Sequence, residues 1–241
     1  MERVILGALA NHAGPRSPSL PIVGLDPTMD IADFLRKNFE FFQRPEHWYR
    51  KAVDLRNSAS ILFDAVRPNI EHYEAALSVA QNMLEFSSAE TADVDCDAPN
   101  ILPIYMLHGY ALENILKAVI IYSKPELIAS DKLSEVVTNH FLIDLAGIAN
   151  IQLSSYENAV LKWLTEVVIW KGRYSIPKQP RHIGVFWAFD HLMSENMDAC
   201  TGAINDVFCR AASVLPAVMT QKTKRYDKVV RINLLETDRS P

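Results

Sequence analysis

The stretch Ile104-Tyr105-Met106-Leu107-His108-Gly109-Tyr110-Ala111-Leu112-Glu113-Asn114-Ile115-Leu116-Lys117-Ala118-Val119 decides the fold. Ile104, Leu107, His108, Ala111, Leu112, Ile115, Leu116 and Val119 recur at three- and four-residue steps, which gathers them on one broad apolar face of a helix. Glu113 and Lys117 stand four apart in the acid-before-base order that suits pairing along a helix. The pattern predicts a helix over about 100–122. A face this wide needs other helices around it, so the reading is the middle of a bundle.

Upstream, Asp30 is a suitable N-cap for a helix carrying Ile31, Phe34, Leu35, Asn38, Phe39 and Phe42. Pro45 opens a second helix through Trp48, Ala52, Leu55, Ala59, Leu62 and Phe63. Pro68 is expected to end that helix and to open a third, through Tyr73, Ala76, Leu77, Ala80, Met83 and Leu84. Residues 87–98 are acidic, small and loop-like. Residues 1–29 combine Pro, Gly and Ser without a helical period and read as an extended or disordered leader.

Downstream, a helix around 138–149 buries Phe141, Leu142, Leu145 and Ile148. Ser154 or Ser155 caps the next, which carries Ala159, Val160, Trp163, Leu164, Val167 and Val168 and stops at Lys171-Gly172. A proline-bearing loop over 173–181 leads to a long final helix, about 183–219, with Gly202 and Pro216 as points of kinking or ending. The tail over 225–241 alternates weakly through Val229, Val230, Ile232, Leu234 and Leu235, as one strand or an arm would.

The expected fold class is all-α: an antiparallel helical bundle over 99–220, an added N-terminal helical layer over 30–98, and extended arms at 1–29 and 221–241. Residues 30–220 form one compact unit in this reading. Composition agrees, since 49% hydrophobic and 22% charged residues describe a globular chain, and 8 Gly are few for a many-turned β protein. A net charge of −5 excludes coating of nucleic acid by the whole surface, though not by a local basic patch. Cys96, Cys200 and Cys209 form no C-x-x-C pair, so neither a disulfide framework nor a zinc site is expected, and small core positions are the simpler assignment. No apolar run reaches the ~18–20 residues of a membrane span. Val4–Ala10 is too short and too soon followed by Asn11 and His12 for a secretory signal, so a cytoplasmic protein is expected.

Three stretches taken in order resemble the HEPN superfamily of helical domains, named for higher eukaryotes and prokaryotes nucleotide-binding. They are Tyr110-Ala111-Leu112-Glu113-Asn114-Ile115-Leu116-Lys117-Ala118, Asn139-His140-Phe141-Leu142-Ile143-Asp144-Leu145-Ala146, and Leu161–Glu166 leading into Trp170-Lys171-Gly172-Arg173-Tyr174. The resemblance covers about 100–215. It implies a helical bundle, frequent homodimers, and a polar cleft combining Lys171, Arg173, Tyr174, Arg181 and His182 with Glu113, Lys117 and His140. Family members that cleave RNA carry Arg-x(4–6)-His at the start of a late helix, where the cation binds phosphate and the imidazole moves the proton of a ribose 2′-hydroxyl. This chain departs from that pattern. Arg173 is followed by His182 with eight residues between, among them Pro177 and Pro180, and the one fitting spacing, Arg67 to His72, lies outside the matching region.

Plainer assignments stand beside these. Arg173 and Tyr174 could tie their loop to Glu113, His140 could pack at a helix start, and His108 could be a satisfied core histidine. Trp163, Trp170, Phe186 and Trp187 fit a core as well as a base-stacking platform, and Met193 and Met197 are core by default. Neither a glycine-rich phosphate loop, a metal-ligand pair nor a serine nucleophile elbow is present, so no metal or cofactor is expected. The reading that follows is a protein that binds RNA, a nucleotide or a partner protein near Arg173, expected as a homodimer. The alternatives are a metal-independent endoribonuclease of toxin or defence type using Arg173 and His182, and a helical interaction protein without pocket chemistry.

Overall fold

The computed structural model describes residues 30–86, 96–171, 197–222 and 229–233. These residues are almost entirely helical: α1 (Ile31–Phe42), α2 (Pro45–Phe86), α3 (Leu102–Ser123), a 3-10 turn (Pro125–Leu127), α4 (Glu135–Thr138), α5 (Leu142–Ile148), α6 (Ser155–Glu166) and α7 (Met197–Val214). Two short strands follow, β1 (Val218–Lys222) and β2 (Val229–Asn233). The all-α class read from the sequence holds.

α3 is the hub. Its side chains are buried on nearly all sides, from Ile104 and Tyr105 through Leu112, Ile115 and Leu116 to Ile120 and Ile121. It packs against α2, α5, α6 and α7. Their contributions to the same core include Tyr49 and Ala52, Leu142 and Leu145, Leu161 and Leu164, and Ile204, Val207 and Phe208. Full burial of a Leu or Phe side chain stabilises by about 1.5–3 kcal/mol, so this layer dominates the folding energy. Against the sequence reading that no run is long and apolar enough to cross a membrane, α3 is, among the described residues, the one helix that meets that length and composition. Inside the fold, 78% of that window is already buried against protein.

Close approach of α3 to α6 depends on Gly109. A Cβ at that position would stand 2.5 Å from Val168 Cγ2, so no side chain fits without displacing it. Val168 belongs to a wider π-helical turn, Val167–Lys171, that continues α6.

The helix boundaries are set by local chemistry. Asp30 accepts a hydrogen bond from the Ala32 amide at 3.0 Å and starts α1 as expected. Ser154 starts α6 with a reciprocal capping box: Glu157 N donates to Ser154 Oγ at 3.2 Å, and Ser154 N donates to Glu157 Oε2 at 2.7 Å. Glu157 also accepts from Arg210 Nη2 at 2.7 Å, which ties this helix start to α7. Asn150, the one non-glycine with positive φ among the described residues (57°), closes α5 while Ile151 N donates to Ala146 O at 2.9 Å.

Four boundaries differ from the sequence reading. Pro68 does not end a helix; α2 runs through it for 42 residues, roughly 63 Å. The ring removes one backbone donor and crowds the carbonyl of Asp64, and the surrounding residues 67–69 are exposed, so that carbonyl can turn to water. The helix expected at 138–149 begins only at Leu142, after the separate single turn of α4, because Asn139 is extended and its Oδ1 accepts from Phe141 N at 2.9 Å. That turn leaves Phe141 54% exposed instead of in the buried stripe. The final helix ends at Val214, short of 219, since Pro216 cannot extend it. Beyond it the tail makes a hairpin and not a lone strand, with β1 antiparallel to β2 and Met219 opposite Ile232. Met219 reaches the main core. The expected stretches 1–29, 173–181 and 183–196 lie outside the described residues.

Candidate functional site

Three of the residues singled out in the sequence meet at one point. Glu113 and Lys117 sit one turn apart on α3, and Lys117 Nζ donates to Glu113 Oε1 at 2.6 Å. The same oxygen lies 3.0 Å from Nδ1 of His140, which the turn between α4 and α5 delivers from 27 positions further along the chain. A carboxylate only accepts, so the contact places the proton on Nδ1 of His140 and leaves Nε2 as the free ring nitrogen.

Burial divides the three. The Glu113 and Lys117 side chains are 7% and 3% exposed, while His140 is 53% exposed. A buried ion pair is thus capped by an imidazole facing solvent. Glu113 Oε2 is buried and accepts no hydrogen bond among the described residues. Lys117 also lies 5.4 Å from the ring centroid of Trp48, whose face supplies a second favourable neighbour for the ammonium.

Trp48 and its support were missed by sequence reading. Trp48 Nε1 donates to Gln43 O at 3.0 Å, at the elbow between α1 and α2. Gln43 is itself buried and grips the loop before α4, donating through Nε2 to Ala129 O at 2.7 Å while its Oε1 accepts from Ala129 N at 3.3 Å. These pairs are 86 positions apart in the chain, so no local spacing signals them. They hold the N-terminal helices and the α3–α4 connection against the Glu113 cluster.

Arg173, Tyr174, Arg181 and His182 lie outside the described residues, as does the side chain of Lys171, and so does the alternative tie of Arg173 to Glu113. Arg67 and His72 are both exposed on α2. Five helical positions separate them by about 140° around the axis, so they do not face one another. Trp163 is core, 3% exposed and edge-on to Tyr105 with centroids 4.8 Å apart. Met197 packs half-buried against the core, whereas Trp170's side chain, Phe186, Trp187 and Met193 are outside the described residues.

None of the three cysteines forms a disulfide. Cys200 is buried, and burial pushes its thiol up to about 12. Cys209 is exposed, which departs from the core position expected for it. His108 is 2% exposed, as a core histidine would be, but no hydrogen bond among the described residues engages its ring. Burial, with Arg56 nearby as the second cause, lowers it to about 4.

Compared with protein-family models, curated proteins and solved structures, the chain finds no match in any of the three.

Proposed function

We propose that this chain is a HEPN-like helical protein that binds RNA or a nucleotide through a polar site centred on Glu113, Lys117 and His140. One observation carries the reading. Residues marked by the family resemblance in two separate segments meet within hydrogen-bond distance around a single carboxylate oxygen. A buried ion pair costs desolvation that an apolar pair of the same shape avoids, so its presence beneath an exposed imidazole favours a role beyond folding. With Nδ1 committed to Glu113, His140 offers Nε2 to a ribose hydroxyl or a base edge. The resemblance adds Lys171, Arg173 and Arg181 as phosphate contacts, Tyr174 beside them, and a homodimer as the assembly.

The test is fluorescence anisotropy with labelled single-stranded RNA and with labelled adenine and guanine nucleotides. The reading expects saturable binding that His140→Ala and Arg173→Ala each weaken, with helicity unchanged. Absence of binding to every probe at low salt, where phosphate contacts are strongest, overturns it. Light scattering of the same samples tests the dimer.

A second reading, a metal-independent endoribonuclease, is favoured by the carboxylate-oriented imidazole, an arrangement that also suits a general base. It requires RNA cleavage in chelator that Arg173→Ala or His182→Ala abolishes. RNA left intact by the folded protein removes this reading and leaves the binding one standing.

A further inference from the structure

α1 turns its apolar side to solvent. None of its 12 residues is fully buried, and Ile31, Leu35 and Phe42 are 69%, 60% and 60% exposed. At about 100° per residue, Ile31, Leu35, Asn38 and Phe42 fall along one line, with Phe34 and Phe41 to one side of it and Phe39 to the other. Together they fill a sector of about 160°. Asn38 is its only polar member, and its amide is turned back onto the helix, Nδ2 donating to Phe34 O at 2.8 Å. The face is held in place at its far end. The Phe41 and Phe42 rings meet His47, at the start of α2, edge-on with centroids 4.5 and 5.3 Å away.

Basic groups border this face on both sides. Arg36 stands along one border and Lys37 along the other, and the Arg44 guanidinium lies 5.5 Å from the Phe41 ring centroid. The acidic residues Asp33 and Glu40 sit at the back of the helix, between the two borders. Asp33 pairs with Lys37. The long stems of Arg36 and Arg44 let their charged ends reach an anion level with the apolar side.

Area and charge both argue against a second α1 as the occupant. A 12-residue helix is about 18 Å long and about 10 Å across, so the apolar sector covers roughly 250 Å². A stable dimer buries about 800 Å² on each partner. In an antiparallel two-fold pair centred on the stripe, Arg36 of one copy comes level with Lys37 of the other, and Asp33 with Glu40. A parallel pair sets each charge beside its own copy, so like charges meet in both arrangements. A bilayer sets no such minimum area. A helix lying in the interface sinks its apolar side into the acyl boundary and keeps its charged side among the headgroups. Basic borders select anionic headgroups. At about 18 Å, α1 is too short to cross a hydrocarbon core of ~30 Å, so it would lie on the surface.

We propose that α1 is an interfacial helix that holds the protein on anionic bilayer surfaces, with Ile31, Leu35 and Phe42 in the acyl boundary and Arg36 and Arg44 on lipid phosphates. It uses no residue of the Glu113 cluster and does not depend on the function proposed there.

The experiment floats the full chain with lipid vesicles on a density gradient. Vesicles of equal parts phosphatidylcholine and phosphatidylglycerol should carry the protein upward, and phosphatidylcholine alone should carry about threefold less or lower still. Leu35→Ser with Phe42→Ser should reduce partition into the mixed vesicles about tenfold with helicity unchanged, since neither residue belongs to the core. Arg36→Gln with Arg44→Gln should abolish the preference for mixed vesicles over phosphatidylcholine. The proposal is overturned if the full chain stays below the mixed vesicles, or if the double serine variant floats as well as wild type. It is equally overturned if the lipid-free protein is a dimer that the double serine variant dissociates, because α1 then meets protein.

Discussion

Glu113 and Lys117 form an ion pair at 2.6 Å with both side chains enclosed by the bundle. Pairs at this spacing on an exposed helix contribute only about 0.2–0.5 kcal/mol. Enclosure changes the sign of the question. Removing one partner strands the other, whereas removing both removes the desolvation cost as well. Lys117→Met should therefore cost about 3–5 kcal/mol, and the double variant Glu113→Leu with Lys117→Met should lie close to wild type. Urea denaturation of the three proteins checks this. A double variant as unstable as the single would show that packing around Trp48, and not charge, sets the loss.

His108 makes the fold acid-sensitive. Its folded value of about 4 lies below the ordinary 6.5, so between these two values the unfolded chain holds a proton that the folded chain does not. Stability from this group is complete above the unfolded value and falls as pH drops toward the folded one. The full loss is roughly 3 kcal/mol, taking about 1.4 kcal/mol per pH unit over the interval. Arg56 from α2 opposes protonation, while Arg67, Asp64 and Asp198 line the cavity that His108 borders. Glu157 adds to the trend: despite burial, its bonds to Ser154 and Arg210 hold its carboxyl below the usual range, so its contribution is also lost on acidification. Unfolding free energies measured from pH 7 to 4 should fall, and His108→Asn should flatten the upper part of that fall. Equal slopes in both proteins would refute the assignment.

At Gly109 two effects compete. Alanine gains about 1 kcal/mol of helix propensity over glycine. Against this, its Cβ would sit 2.5 Å from the methyl of Val168, a buried β-branched side chain with little freedom to move, and overpacking costs about 1–3 kcal/mol. Gly109→Ala should be net destabilising by roughly 1 kcal/mol. In a Val168→Ala background the clash is gone, and the same substitution should become stabilising. Thermal melts of the four proteins give the cycle; no change of sign would mean that α3 and α6 simply move apart.

These cases also show how far sequence alone reaches. Asp30, Ser154 and the face of α3 were readable because caps and helical period are local properties of a few neighbouring residues. The Glu113–Lys117 pairing was readable for the same reason. His140 is marked by the resemblance, yet its bond to Glu113 depends on the Asn139 turn that delays the expected helix to Leu142. Gln43 with Ala129, and Leu142 N donating to Thr165 Oγ1 at 3.1 Å, join distant segments that no periodicity connects. For His108 the period gave the right face, but a face does not say whether the polar atoms on it are met. Beyond Val214, Pro216 reads as a point of kinking or ending but does not say which, and the pairing of β1 with β2 depends on a partner strand that begins seven residues after β1 ends.

Pro68 carries the last prediction, because there a strong local rule lost to its surroundings. An interior proline costs about 3 kcal/mol through the missing donor and the clash with the carbonyl four residues back. α2 nonetheless continues past it, with Ala59 and Ile70 buried on either side. Burial of this flanking apolar face offsets the proline cost, so the cost is still present in the folded protein. Pro68→Ala should release part of it, raising stability by up to roughly 3 kcal/mol, and should supply an amide at residue 68 that exchanges slowly with solvent. A urea midpoint that moves up with unchanged slope, together with a protected amide 68, is the expected result. A variant no more stable than wild type would mean that α2 in solution breaks at Pro68 and carries no penalty there to release.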